Sequence, residues 1–391
     1  MNPGGVLQEN SMDSEEAARL YADMGVRPVI NAAGAYTMLG GSALSPRVRQ
    51  AMEDANRYFV EMGALLESSG RIIAGMLDCE AAYVTSGAAG ALTLAAAACM
   101  TGVDAAKIER LPDTIGMKDE IIIQRCGRLK YDRCVTIPGA KLVEVGQDSA
   151  TTLEDLEAAF NEKTCAVHFL ATGTRPASLP LPDIIRAAHA HDVPVIVDAA
   201  GQTYPTDELR RYARAGADLV CYAGKYFDAP HSTGLLTGRR DLVEAAAMNG
   251  FVSFETNGLR TIGRPMKLDR QEIIACVVAL REWFAMNHED RLLKYGDRAD
   301  VIIRELAPIP NIEARRASET GTPMPVERES VRIHFLDGSS KTAADVEKEL
   351  KDGTPCIWTR ASNGVLNISV AFFSDGEEQI IAERLKAALA G

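Results

Sequence analysis

Three segments of the chain hold residues whose types and spacing suit one kind of chemistry. In Ala217-Asp218-Leu219-Val220-Cys221-Tyr222-Ala223-Gly224-Lys225, an apolar strand ends in a turn that delivers a single lysine, and the apolar run Ser232 to Leu236 follows soon after. A lysine amine flanked by core is partly desolvated, which lowers its proton affinity and suits it to Schiff-base formation with a carbonyl. In Val193-Pro194-Val195-Ile196-Val197-Asp198-Ala199-Ala200, a carboxylate closes a strand that is apolar on both faces. Burial without a partner is costly, so Asp198 needs a cation or a donor, and a protonated pyridine nitrogen would supply one. Ala200 is small enough for a flat ring to lie above it. In Tyr83-Val84-Thr85-Ser86-Gly87-Ala88-Ala89-Gly90, a strand runs through a small-residue turn into an alanine-rich helix, where free N–H groups and the positive end of the helix dipole make a cup for a phosphate. Read singly, each segment has a plain structural counterpart: a tight turn, a helix-capping Asp, a solvated lysine. Together, the anion cup, the carboxylate and the lysine occur in the order required to hold pyridoxal phosphate (PLP), with Asp198 at the ring nitrogen and Lys225 at the carbonyl carbon.

These residues need elements that bring them to one place. Asp198 and Lys225 are 27 positions apart, room for one helix and one strand, so both emerge at the same edge of a sheet. Strands are expected over Ala82–Thr85, Glu120–Gln124, Lys141–Val145, Cys165–Leu170, Val193–Val197, Asp218–Tyr222 and Thr233–Thr237, alternating with helical patterns. That alternation predicts an α/β fold: a three-layer αβα domain with a mostly parallel sheet. Ser45-Pro46 opens a helix whose stripe of Val48, Met52, Ala55, Phe59, Met62 and Leu66 faces a core or a subunit interface. After Pro265 the rhythm changes to one long helix, about Leu268 to Asn287, and then to a β-rich stretch ending in a helix over Asp375–Leu389. The expected organisation is an N-terminal arm over 1–25, a large PLP-binding domain over 26–265 and a smaller C-terminal α+β domain over 266–391.

At these residues the sequence resembles the selenocysteine-synthase-like branch of fold-type-I PLP enzymes, and within it the ammonia-lyases of phosphorylated amino sugar acids. The segments that carry the resemblance include Val29-Ile30-Asn31-Ala32-Ala33-Gly34, Leu39-Gly40-Gly41-Ser42, Tyr83 to Gly90, Ile122-Ile123-Gln124-Arg125, Val195 to Gln202, Ser232 to Leu236 and Ile262 to Lys267. The resemblance implies that Lys225 bears the cofactor, that Asp198 partners its ring nitrogen, and that Ser86, Gly87 and Ala88 form the phosphate cup. It also implies that Ser232 and Thr233 complete the cup of a neighbouring subunit in a homodimer or higher homo-oligomer. Arg360, in Ile357-Trp358-Thr359-Arg360, matches a family arginine and suits a substrate carboxylate. Asn31 and Arg125 are the further substrate-facing candidates. Where relatives commonly have a serine, an arginine and a glutamine around the lysine, this chain has Tyr222, Asp228 and His231. Losing a cation at Asp228 argues against a phosphorylated substrate, and His231 is either a second acid or base or a packed side chain.

Composition bounds the rest. A net charge of −12 disfavours nucleic acid and acidic membranes as partners. Eight scattered cysteines, with no signal-peptide pattern and no apolar run long enough to cross a bilayer, point to reduced thiols in a cytoplasm. His189 and His191 are two apart rather than four, so no metal site is expected. The expected activity is α,β-elimination of a small hydroxyamino acid or amino sugar acid, giving a 2-keto acid and ammonia. Selenium or sulfur transfer to a seryl-tRNA adduct, aminotransfer or racemisation, and a silent scaffold are the alternatives.

Overall fold

A computed structural model describes residues 18–171, 177–317 and 330–390. The chain divides into two compact units. The smaller takes its described residues from 18–39, 287–317 and 330–390, and the larger spans Gly40–Met286.

The smaller unit pairs β1 (Val29–Asn31) in parallel with a strand over Cys356–Trp358 and holds a four-stranded antiparallel sheet. In the larger unit, β2 (Ala81–Thr85), β3 (Glu120–Gln124), β4 (Lys141–Val145), β5 (Thr164–Leu170), β6 (Val195–Asp198), β7 (Leu219–Ala223) and β8 (Gly234–Gly238) form one sheet in the order β2-β8-β7-β6-β5-β3-β4. Only β8 runs against its neighbours. All of β6, β7 and β8 is buried, as strands covered on both faces by helices should be. The expected strands thus appear within two residues of their predicted ends.

The predicted long helix from Ser45 is two helices, α1 (Pro46–Asn56) and α2 (Met62–Leu77). Glu61 starts the second by accepting from the Gly63 N–H at 2.8 Å and the Ala64 N–H at 2.5 Å, an N-cap that a continuous helix would not allow. Phe59 therefore leaves the apolar stripe and is 93% exposed in the connector. Between the long helix Arg270–Ala285 and the β-rich part lies a further helix that the sequence rhythm concealed, Asn287-capped and spanning His288–Leu306. The unit boundary also falls after Met286 rather than at 265. The helix Arg270–Ala285 stays with the larger unit, where Ser45 Oγ donates to Glu282 at 2.5 Å and Arg270 Nε donates to the Ala55 carbonyl at 3.3 Å. Of the N-terminal arm expected over 1–25, residues 1–17 lie outside the described ones.

Candidate active site

Strand register gathers the expected site residues. Asp198 pairs with Cys221 across β6 and β7, Ala223 with Gly234 across β7 and β8, and Gly234 with Thr85 across β8 and β2. Ala223, Gly234 and Thr85 therefore form one row, Asp198 lies in the row two residues back, and all stand at the carboxyl ends of the parallel strands, where open α/β sheets bind ligands. Lys225 follows β7 after Gly224, Ser86 follows β2, and α3 (Gly87–Thr101) begins at the cup.

The cup is fixed by close packing. The first backbone bond of α3 runs from Gly90 N to Ser86 O at 3.1 Å, so the amides of Gly87, Ala88 and Ala89 head the helix. Ser86 makes no side-chain capping bond, and Gly87 has φ of +69°. A methyl on Gly234 would stand 2.3 Å from the Gly87 carbonyl carbon and 2.7 Å from the Ala88 nitrogen, so β8 presses directly on the cup.

Asp198 is 7% exposed, and its Oδ1 accepts from the Ala200 N–H at 3.1 Å. No ion pair reaches it among the described residues. Burial pushes its carboxyl up to about 6 against the opposing pull of that N–H. Lys225 Nζ lies 5.1 Å from the centre of the Tyr226 ring. The turn behind it is tied down by Thr203 Oγ1, which donates to the Tyr226 carbonyl at 2.7 Å, and by Gly224 N, which donates to the Thr233 carbonyl at 2.8 Å. A desolvated carboxylate, a helix N-terminus and a lysine on one sheet edge fit PLP: Asp198 for the ring nitrogen, the cup for the phosphate, Lys225 for the carbonyl carbon.

Other expectations fare differently. Thr233 is fully buried and its hydroxyl donates to the Pro230 carbonyl at 2.8 Å, holding its own turn. Ser232 is exposed, and its hydroxyl bonds Glu272. Tyr222 replaces the family serine as a core residue, fully buried with its hydroxyl on the Leu209 carbonyl at 3.1 Å. Arg125 follows β3 at the same edge but is exposed and pairs with Asp148 at 3.5 Å. Within the smaller unit, the Asn31 amide serves its own turn, donating to the Gly34 carbonyl at 3.1 Å and accepting from Ala33 N–H at 3.0 Å. Arg360 is exposed with its guanidinium 4.9 Å from the centre of the Tyr36 ring. Thr203, Gly234 and Gly41, which abuts His231, escape sequence reasoning because nothing in their types marks a tertiary contact.

The aminotransferase class-V family matches residues 76–355. The chain belongs to that family. It is 32% identical to the 5'-C-glycyluridine monooxygenase-decarboxylase of a Streptomyces species, over 92% of this chain and 90% of the relative. It is 30% identical to the D-glucosaminate-6-phosphate ammonia lyase of Salmonella typhimurium, over 94% and 97% respectively. The solved structure of a D-glucosaminate-6-phosphate ammonia-lyase superposes with a TM-score of 0.82 at 28% identity, covering 95% of this chain and 98% of that one. These relationships bear out the fold-type-I architecture and make pyridoxal phosphate the cofactor of this class-V chain. Among the described residues, no helix is long and apolar enough to cross a membrane.

Proposed function

We propose that this class-V protein is a PLP-dependent ammonia-lyase acting on a small hydroxyamino acid or amino sugar acid. The observation that carries the reading is the β2-β8-β7-β6 register, which lines up the cup, Lys225 and Asp198 on one edge. When bound, the cofactor supplies an electron sink for a carbanion at the substrate Cα. Asp198 keeps the ring nitrogen protonated, and Ser86, Gly87 and Ala88 hold the phosphate. The amine of Lys225 would remove the Cα proton of the bound substrate. Loss of the Cβ hydroxyl as water leaves an enamine, which takes up a proton and is hydrolysed, so the net reaction converts a β-hydroxy-α-amino acid to a 2-keto acid and ammonia. His231 lies near enough to Lys225 for the lysine to add to the lowering of its proton affinity by burial, and Arg360, exposed over Tyr36, is the group proposed for the substrate carboxylate. A homodimer or higher homo-oligomer is part of this proposal, and eight cysteines outside any disulfide support a reducing, cytoplasmic setting.

The test is chemical. Protein loaded with the cofactor is expected to absorb near ~420 nm, as protonated PLP Schiff bases do, and borohydride should fix the label to Lys225. A panel of D- and L-hydroxyamino acids, phosphorylated and not, should release 2-keto acid and ammonia in equal amounts. Label on another lysine removes the site assignment. Oxygen uptake with carbon dioxide release and no keto acid would instead favour the chemistry named for the Streptomyces relative.

A further inference from the structure

His231, six positions beyond Lys225, is seated in a way that bears on its role. Its Nδ1 is buried without a hydrogen-bond partner. The ring lies directly on the backbone of Gly41: a methyl there would stand 2.2 Å from Nδ1, 2.8 Å from Cγ and 3.1 Å from Cε1. Gly41 has φ of +80° and Gly40 has +81°, yet a methyl on Gly40 meets nothing within 4 Å. Ser42 Oγ ties this loop to the turn after Lys225 by donating to the Ala229 carbonyl at 2.6 Å.

A buried N–H with no acceptor is rarer and more costly than an acceptor left unused. The neutral ring therefore carries its proton on Nε2 and leaves the Nδ1 lone pair against Gly41. Burial, with Lys225 nearby, holds the imidazole below its usual range and keeps it neutral. In that state the ring offers a donor at Nε2, and its basic nitrogen is sealed from the site.

We propose that His231 is a neutral hydrogen-bond donor, presenting Nε2–H to an oxygen of the substrate bound beside Lys225, and that Gly41 is the positioning residue that fixes this tautomer. The inference takes the location of the substrate, but no reaction step, from the lyase reading. It replaces the expectation of a second acid or base with a group that recognises a substrate hydroxyl or carboxylate oxygen.

Nitrogen-15 NMR of histidine-labelled protein, with and without PLP, reads the tautomer directly, His231→Gln identifying the resonance. The expected state near pH 7 is neutral with the proton on Nε2. A proton on Nδ1, or an imidazolium, overturns the proposal. The second arm follows the absorption change of the loaded protein with D-serine, L-serine and D-glucosaminate as probes. His231→Gln, which keeps an N–H donor, should hold the dissociation constant within about threefold, whereas His231→Leu should raise it about tenfold or more, the scale of one lost donor. Neither should change the affinity of cofactor-free protein for PLP, and a weakened PLP affinity would move the contact to the cofactor and overturn the assignment. Gly41→Ala should behave like His231→Leu, while Gly40→Ala carries the same backbone strain without touching the ring. Equal losses in the two glycine variants would reduce Gly41 to a backbone role. Failure to release keto acid with the expected tautomer present would sink the lyase reading and leave this one standing.

Discussion

Asp198 has a carboxyl whose proton affinity is raised by burial, and that makes it visible in the stability of the protein before any turnover is measured. Its folded value of about 6 lies above the ordinary 3.8, so the native state holds the proton more tightly than the unfolded chain does. Stability from this group is fully present below about pH 4 and is lost as pH rises through about 6, by about 2 to 3 kcal/mol at most. We expect cofactor-free Asp198→Asn to be more stable to urea than the cofactor-free parent above pH 6, with the difference vanishing near pH 4. PLP should stabilise the parent more than the variant, because only the parent gains a charge pair. A parent curve flat from pH 4 to 7 would contradict the assignment. The need for a partner was legible in the sequence, since Asp198 closes an apolar strand. The N–H of Ala200 and the seat of His231 on Gly41 were not, because both depend on how turns approach one another.

At the scale of elements, the cup depends on a contact between β8 and the start of α3. Gly234→Ala places a methyl within 2.3 Å of the Gly87 carbonyl carbon, where backbone rather than a flexible side chain must yield. The expected result is at least about tenfold weaker PLP binding, from misdirected amides at the helix N-terminus, with the Asp198 titration intact. Unchanged PLP affinity in a folded variant would detach the cup from the phosphate. The strands were readable because β-branched runs buried on both faces leave a strong signal, as in Val195–Asp198. The helix His288–Leu306 was not, because it buries Gly296, Ala299, Ile302 and Leu306 amid charged residues, and two small side chains in that stripe mute its periodicity. The break between α1 and α2 was hidden for the opposite reason: Phe59 continued an apolar pattern that the structure exposes.

For the whole molecule, the sequence rhythm changed where the long helix begins, whereas the compact units part where it ends, because that helix packs on α1 through contacts more than 200 positions away in sequence. Composition was more direct. A net charge of −12 opposes a polyanion over the whole surface, while the cup and Lys225 supply positive potential only locally. The lyase reading therefore predicts that a small anionic amino acid is accepted and a tRNA is not. Nucleic-acid affinity normally comes from clustered Lys and Arg that release counterions, giving a steep fall in binding with salt. Fluorescence anisotropy of a labelled seryl-tRNA, titrated with PLP-loaded protein at 50 and 200 mM salt, should show no saturable binding at micromolar protein in either condition. Saturable binding that weakens by about a thousandfold between the two salts would demand a basic groove of some 6 to 10 phosphate contacts. That result would turn the choice from ammonia release to transfer onto a tRNA-borne serine.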